Sequence, residues 1–169
     1  AVRADTKEIF FTSGGTESNN WAIRKTVSYY SRYGKHLITS TIEHPSVLKT
    51  FQELEKENFS VTYLPVNNNG TVNPEDLQKA LTEETILVSL MHVNNEIGSI
   101  LPVRSFGEIL DKYKKIEKNK YYPLFHVDAV QALGKLPLNV RELKADLMSF
   151  SAHKLHGPKG IGALYKRKN

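Results

Sequence analysis

Along this 169-residue chain, short apolar runs alternate with stretches of helical periodicity, and five of the runs break off into polar clusters. That rhythm restricts the fold more than any single motif does. Residues 8–12 form an apolar run that enters Ser13-Gly14-Gly15, which reads as a strand meeting a tight turn. A helix is predicted over residues 16–33, with Ala22, Ile23, Val27 and Tyr30 at helical spacing and Gly34 as its stop. Residues 36–39 read as a strand. Pro45 stands where a helix can start, because a first-turn N–H needs no intrahelical partner, and Val47, Leu48, Phe51 and Leu54 mark its apolar stripe. Residues 61–64 read as a strand followed by an Asn-rich turn at 67–70, and Asn73-Pro74-Glu75 caps and opens a helix through Leu81. Residues 86–91 form a buried-type strand. Beyond Pro102, the stripe Phe106, Ile109, Leu110, Tyr113 and Ile116 marks another helix. Residues 124–127, 147–150 and 161–165 complete the strands. The order implies an α/β fold with a mostly parallel sheet flanked by helices.

Composition narrows the function classes. With 40% hydrophobic and 24% charged residues the chain can bury a core, and disorder is not expected. No apolar run approaches the roughly 20 residues of a membrane helix, and no signal peptide is visible. Cysteine is absent, which removes disulfides and thiolate-ligated metals and fits a cytoplasmic protein. The net charge of +5 is spread among acidic residues, as at Arg24-Lys25, rather than gathered into a stripe, so nucleic acid is not an expected partner. The chain has no initiator Met, and the expectation is a segment of a longer polypeptide.

In a parallel sheet, ligands bind beyond the carboxyl ends of the strands. The polar clusters at residues 13–18, 43–44, 94–98, 128–131 and 151–157 all fall at such ends. In the first, glycines feed a helix N-terminus whose free N–H groups and dipole favour an anion, and Thr16 and Ser18 can add hydroxyls. A phosphate fits. Alone, an ordinary glycine turn explains the segment as well, and neither GxxxxGK[ST] nor GxGxxG is present. Asp128 closes an apolar strand, so its carboxylate is expected to need a buried partner. A pyridinium nitrogen is one such partner, and a helix cap is the plainer alternative. Lys154 follows another apolar strand into the same zone, where a lysine can serve as a Schiff-base amine, although most loop lysines are simply solvated. His153 and His156 lack a third ligand cluster, so no metal site is expected. Anion site, strand-end Asp and strand-end Lys together are what pyridoxal phosphate requires.

The segments Phe11-Thr12-Ser13-Gly14-Gly15-Thr16-Glu17-Ser18-Asn19-Asn20, Glu43-His44, Met91-His92-Val93-Asn94-Asn95-Glu96-Ile97-Gly98, His126-Val127-Asp128-Ala129-Val130-Gln131 and Ser151-Ala152-His153-Lys154 resemble the cysteine desulfurases of the class V aminotransferase-like family. The resemblance covers essentially the whole chain. The form of residues 94–98 looks like the housekeeping and nitrogen-fixation branch. It implies a fold-type-I large domain that uses pyridoxal 5'-phosphate. Lys154 would carry the cofactor covalently and later shuttle a proton. Asp128 would pair with the pyridine nitrogen, and His44 would stack on the ring and assist proton transfer. Gln131 would bond the phenolic oxygen. Gly15, Thr16, Ser151 and His153 would hold the phosphate, and Asn95 would help receive the substrate carboxylate. The reaction implied takes L-cysteine to alanine and leaves a persulfide on the enzyme, in a homodimer that passes sulfur to an acceptor protein for iron–sulfur assembly or thiolation.

The sequence departs from that family in having no cysteine to accept sulfur. Residues 1–169 are therefore expected to be part of the cofactor-binding large domain, with the small domain, the catalytic-Cys loop and the carboxylate-clamping Arg beyond them, and to be inactive alone. Another class V enzyme, an aminotransferase or a selenocysteine lyase, would use the same Lys154 and Asp128. A non-catalytic scaffold with a vestigial pocket is the alternative of a different class.

Overall fold

A computed structural model of the chain describes residues 1–117 and 121–168. Strands β1 (Ile9–Thr12), β2 (His36–Ser40), β3 (Ser60–Leu64), β4 (Thr85–Met91), β5 (Leu124–Asp128), β6 (Leu147–Ser151) and β7 (Gly162–Lys166) form one sheet. Helices α1 (Gly15–Tyr30), α2 (Pro45–Lys56), α3 (Pro74–Ala80) and α4 (Val103–Ile116) link them in the expected alternation. The strand order is β1-β7-β6-β5-β4-β2-β3. Pairings from β6 across to β3 are parallel, whereas β7 is antiparallel to both β6 and β1. It follows that β7 alone runs against the others, and that the carboxyl ends of β1, β2, β4, β5 and β6 share one edge.

Alternation along the strands divides the core between two faces. Leu37 and Leu87 pack with Ile23, Val27, Val47, Phe51 and Leu54 of α1 and α2. Ile38, Val88, Phe125 and Val127 pack with Leu77 of α3 and Phe106 and Leu110 of α4. Strands β2, β4 and β6 are buried along their whole length, as expected for strands covered on both faces. Each fully buried Leu or Phe contributes on the order of 1.5–3 kcal/mol. No helix of the described residues is long and apolar enough to cross a membrane.

Local chemistry sets the helix starts. His44 and Asn73 cap α2 and α3 by accepting from Ser46 and Glu75 amides, each ahead of a first-turn Pro. The ends differ more from expectation. Helix α1 stops at Tyr30, and residues 31–33 turn before Gly34. Gly34 is no left-handed cap. A Cβ there would sit 2.2 Å from the Glu84 carbonyl oxygen, so it is the close passage of the chain before β4 that requires glycine. On α4 the stripe is buried at Phe106 and Leu110, but Ile116, the last residue of the helix, is 64% exposed.

The outer edge of the sheet is fastened by Glu8, which is buried just ahead of β1. Its carboxylate accepts the amides of Asp5 and Lys168 at 3.0 and 2.9 Å and the Arg141 guanidinium at 2.5 Å. Burial opposes ionisation of Glu8, but the Lys168 amide, Arg141 and the Asp5 amide outweigh it and bring its pKa down to about 2. A depressed carboxyl pKa stabilises the fold above the unfolded value near 4.5 and ceases to do so as pH falls toward 2. Glu8→Gln should therefore cost about 1–3 kcal/mol at neutral pH and remove part of the acid-limb slope in urea unfolding. Equal acid sensitivity in the variant would contradict this role.

Candidate functional site

The shared carboxyl edge is where the polar clusters meet. Helix α1 begins at Gly15 with Gly14 as its N-cap and no side-chain cap, so its first-turn amides are open to an anion. Gly15 is buried. A Cβ on it would stand 2.6 Å from Val130 Cγ2 and 3.5 Å from Ser151 Cβ, which places the helix start directly against the ends of β5 and β6. At Gly162, the start of β7, a Cβ would lie 2.6 Å from Gly14, so two backbones touch beneath the turn. The Glu17 carboxylate turns back onto the Ser13 amide at 2.6 Å, and this bond lowers its pKa. Thr16 is exposed at the helix start. Ser18 does not supply a hydroxyl for a ligand, contrary to expectation. It is buried, lies 2.8 Å from Thr12 Oγ1 and donates to the Ala163 carbonyl at 3.1 Å, because its place on α1 faces β7.

Asp128 is the last residue of β5 and is only 6% exposed. Oδ1 accepts the Val130 amide at 3.0 Å and Oδ2 accepts Asn19 Nδ2 at 2.7 Å. Burial pushes its carboxyl pKa up, against the lowering effect of the Val130 amide, Asn19 and nearby His44. Asn19 Nδ2 also reaches Ser46 Oγ at 2.9 Å, and Ser46 Oγ lies 2.8 Å from His44 Nδ1. Two residues deeper in the strand, His126 bridges Ser89 of β4 and Ser149 of β6 at 2.8 and 2.9 Å, tying three neighbouring strands together. Burial pushes its pKa down to about 3, so the bridge is neutral.

A second carboxyl group is buried nearby. Glu43 Oε1 accepts Ser40 Oγ at 2.5 Å and the Met91 amide at 3.0 Å, while Oε2 has no partner. Burial pushes its pKa up to about 8, the Ser40 and Met91 bonds pull it down, and Asp128 adds to the rise. Asn19 Oδ1 and His92 Nδ1 are likewise buried without partners. A layer of under-satisfied polar atoms thus lies beneath this edge.

Other expected residues are present on the edge but are less tied together. Ser151 ends β6, with its hydroxyl 2.8 Å from Nδ1 of the exposed His153. Lys154 lies in the short 3-10 turn Ala152–Leu155 and is exposed rather than enclosed in a pocket. Gln131 Oε1 accepts Lys135 Nζ at 2.8 Å, leaving its amide N–H groups for another partner. Asn95 is exposed in the loop after β4, whose shape is set by Asn94 accepting the amides of Glu96 and Ile97. Among the described residues, no group of three His, Cys, Asp or Glu is placed to hold a metal ion.

The arrangement offers an open helix N-terminus for an anion and, through the Gly15–Val130 contact and the Val130–Asp128 hydrogen bond, an adjacent buried carboxylate for a cation. Asn19 and Ser46, which join Asp128 to His44, carried no sequence assignment. A signal existed for Asn19: it lies four residues before Ile23 and seven before Thr26, a polar residue within the sheet-facing stripe of α1. Ser46 gave none beyond its place in a helix first turn.

The chain is similar to known proteins over nearly its whole length. The family model for aminotransferase class V matches residues 2–169. The chain is 52% identical over 165 residues to cysteine desulfurase IscS of Clostridium botulinum (strain Hall), covering 98% of this chain and 40% of that protein. It is 53% identical over 164 residues to the IscS of Pasteurella multocida, covering 97% of this chain and 39% of that one. Among solved structures, a NifS-like protein superposes with a TM-score of 0.90 at 44% identity, covering 98% of this chain and 44% of the other. SspA in complex with cysteine does so with a TM-score of 0.88 at 39% identity, over 98% of this chain and 45% of the other. The chain spans about 40% of the length of the curated relatives it matches.

The raised pKa of Glu43 gives a sign opposite to that of Glu8. Between about 4.5 and 8 the folded chain retains a proton at Glu43 that the unfolded chain releases, so stability falls as pH rises through this window. The slope reaches about 1.4 kcal/mol per pH unit for one proton. Glu43→Gln keeps an acceptor for Ser40 and Met91 and has no proton to lose. Denaturant unfolding across the window should therefore show a flatter profile for the variant, and an unchanged slope would rule out a protonated Glu43.

Proposed function

Because this chain belongs to the aminotransferase class-V family, we propose that it carries the cofactor-binding core of a pyridoxal-phosphate-dependent cysteine desulfurase. The observation that supports this most is the junction of Asp128, Val130 and Gly15, where a buried strand-end carboxylate adjoins an uncapped helix N-terminus. A flat ring with a basic nitrogen at one end and a phosphate at the other suits that pair. The names of the IscS relatives and the cysteine complex of the SspA structure favour L-cysteine as substrate.

In this reading the first-turn amides at Gly15, with Thr16, Ser151 and His153, receive the phosphate. Asp128 holds a proton on the ring nitrogen, charge-assisted and shielded from water. Lys154 anchors the cofactor through its amine and then moves a proton at the substrate carbon, a role its exposure permits. His44 would lie against the ring, Gln131 would donate an amide N–H to the phenolic oxygen, and Asn95 would bind the substrate carboxylate. When bound, the cofactor supplies an electron-withdrawing ring that stabilises negative charge next to the substrate nitrogen. The chain has no cysteine, so the thiolate that takes the sulfur is contributed from outside residues 1–169. The same holds for the small domain of the working enzyme. We place that enzyme in the cytoplasm as a homodimer that hands sulfur to an acceptor protein, for iron–sulfur clusters or thiolation.

The test is reductive labelling. Pyridoxal phosphate with borohydride should mark Lys154, and Lys154→Ala should lose the mark. Labelling of another lysine with Lys154 untouched would refute the assignment. Asp128→Ala should weaken cofactor retention by on the order of 1.5–3 kcal/mol, roughly tenfold to a hundredfold. The chain alone should release no sulfide from L-cysteine.

A further inference from the structure

Asn19 and Ser46 stand between the two groups assigned to the cofactor ring, and the directions of their hydrogen bonds are forced. Asp128 Oδ2 is a carboxylate acceptor, so Asn19 must present its amide nitrogen to it, at 2.7 Å. The opposite amide orientation would press a carbonyl oxygen against that carboxylate. The second N–H of the same nitrogen then points at Ser46 Oγ, at 2.9 Å, and makes that oxygen an acceptor. A hydroxyl that accepts there still has its own proton to donate, and the partner within reach is His44 Nδ1 at 2.8 Å. The Ser46 backbone amide donates to the same nitrogen at 3.1 Å, as the cap of α2. Two donors converge on Nδ1, so Nδ1 carries no hydrogen. In this orientation the buried Asn19 Oδ1 has no partner among the described residues.

We propose that Asn19 and Ser46 are positioning residues: Asn19 donates one N–H to Asp128 and the other to Ser46, Ser46 donates to His44, and this relay fixes the proton of neutral His44 on Nε2. The proposal rests on the reading of Asp128 and His44 as cofactor-facing groups. Its consequence is directional. Neutral His44 presents an N–H donor, not a lone pair, from the ring atom that has no hydrogen bond to the described residues. It acts first as a donor toward whatever lies against it. Because both amide hydrogens of Asn19 are used, loss of the amide releases Asp128 and the Ser46 hydroxyl together.

The experiment is a long-range proton–nitrogen correlation spectrum of the histidine-labelled protein, recorded without cofactor under conditions where His44 is neutral. His44 Nδ1 should resonate as an unprotonated ring nitrogen and Nε2 as a protonated one. Ser46→Ala should shift the tautomer ratio toward Nδ1–H by up to about tenfold, through loss of one donor. Asn19→Ala should move it the same way by less. A protonated Nδ1 in the unsubstituted protein, or a ratio that Ser46→Ala leaves unmoved, overturns the relay. Borohydride labelling of Lys154 reads the cofactor assignment separately. A fixed Nε2–H with no label at Lys154 upholds the relay and removes the proposed function, whereas a label at Lys154 with Nδ1 protonated does the reverse.

Discussion

A carboxylate sealed at the end of a central parallel strand is expensive to keep, and the rest of the edge is organised around keeping Asp128 there. Burial alone would drive a proton onto it. The chain answers with one backbone donor on Oδ1 and one amide donor on Oδ2. Neither donor carries a charge. The remaining compensation is open to a cation placed against the carboxylate, the role given to a protonated ring nitrogen in the proposed function. Helix α1 is packed so that Asn19, on its sheet-facing stripe, reaches the strand end, and α2 is packed on α1 so that Ser46 reaches Asn19.

Strand direction brings the uncapped start of α1 to the same place. Because β7 alone is reversed, the turn after β1 opens on the edge where β5 and β6 end. The close approach at Gly14 and Gly162 lets that turn lie low, and Gly15 brings the first turn of α1 against Val130 and Ser151. A larger residue at position 15 would have to displace the Val130 side chain, two residues from the carboxylate. Helix start and carboxylate are therefore mechanically linked: moving the helix start moves the loop whose amide holds Asp128.

The alternation of elements was readable in the sequence because period-two and helical patterns are dictated by burial, and burial decided this fold. Strand ends could be matched with Asp128 and Ser151 for the same reason. The misreadings lie where a residue's role depends on what crosses it from elsewhere in the chain. Gly34 looked like a helix stop and is a point of passage for Glu84. Ser18 looked like a ligand donor and is a strut to β7. The reversal of β7 leaves no trace in its own composition. Asn19 and Ser46 were invisible as a pair because their link spans two helices, although a polar residue at a core position of α1 already asks for a partner.

The neighbouring acids Asp128 and Glu43 show how one edge separates a charge from a proton. Both are buried, and the charge of Asp128 adds to the cost of ionising Glu43. Their donors are distributed differently. Asp128 has a donor on each oxygen, so negative charge spread over both is stabilised. Glu43 takes both donors, Ser40 and Met91, on Oε1 and leaves Oε2 bare. A carboxyl group solvated on one oxygen only is suited to carrying a proton on the other. Donor placement thus favours charge on Asp128 and a proton on Glu43 Oε2. A proton held on Glu43 leaves no second negative charge beside Asp128, whose Oδ2 accepts the Asn19 amide at the start of the path to Ser46 and His44.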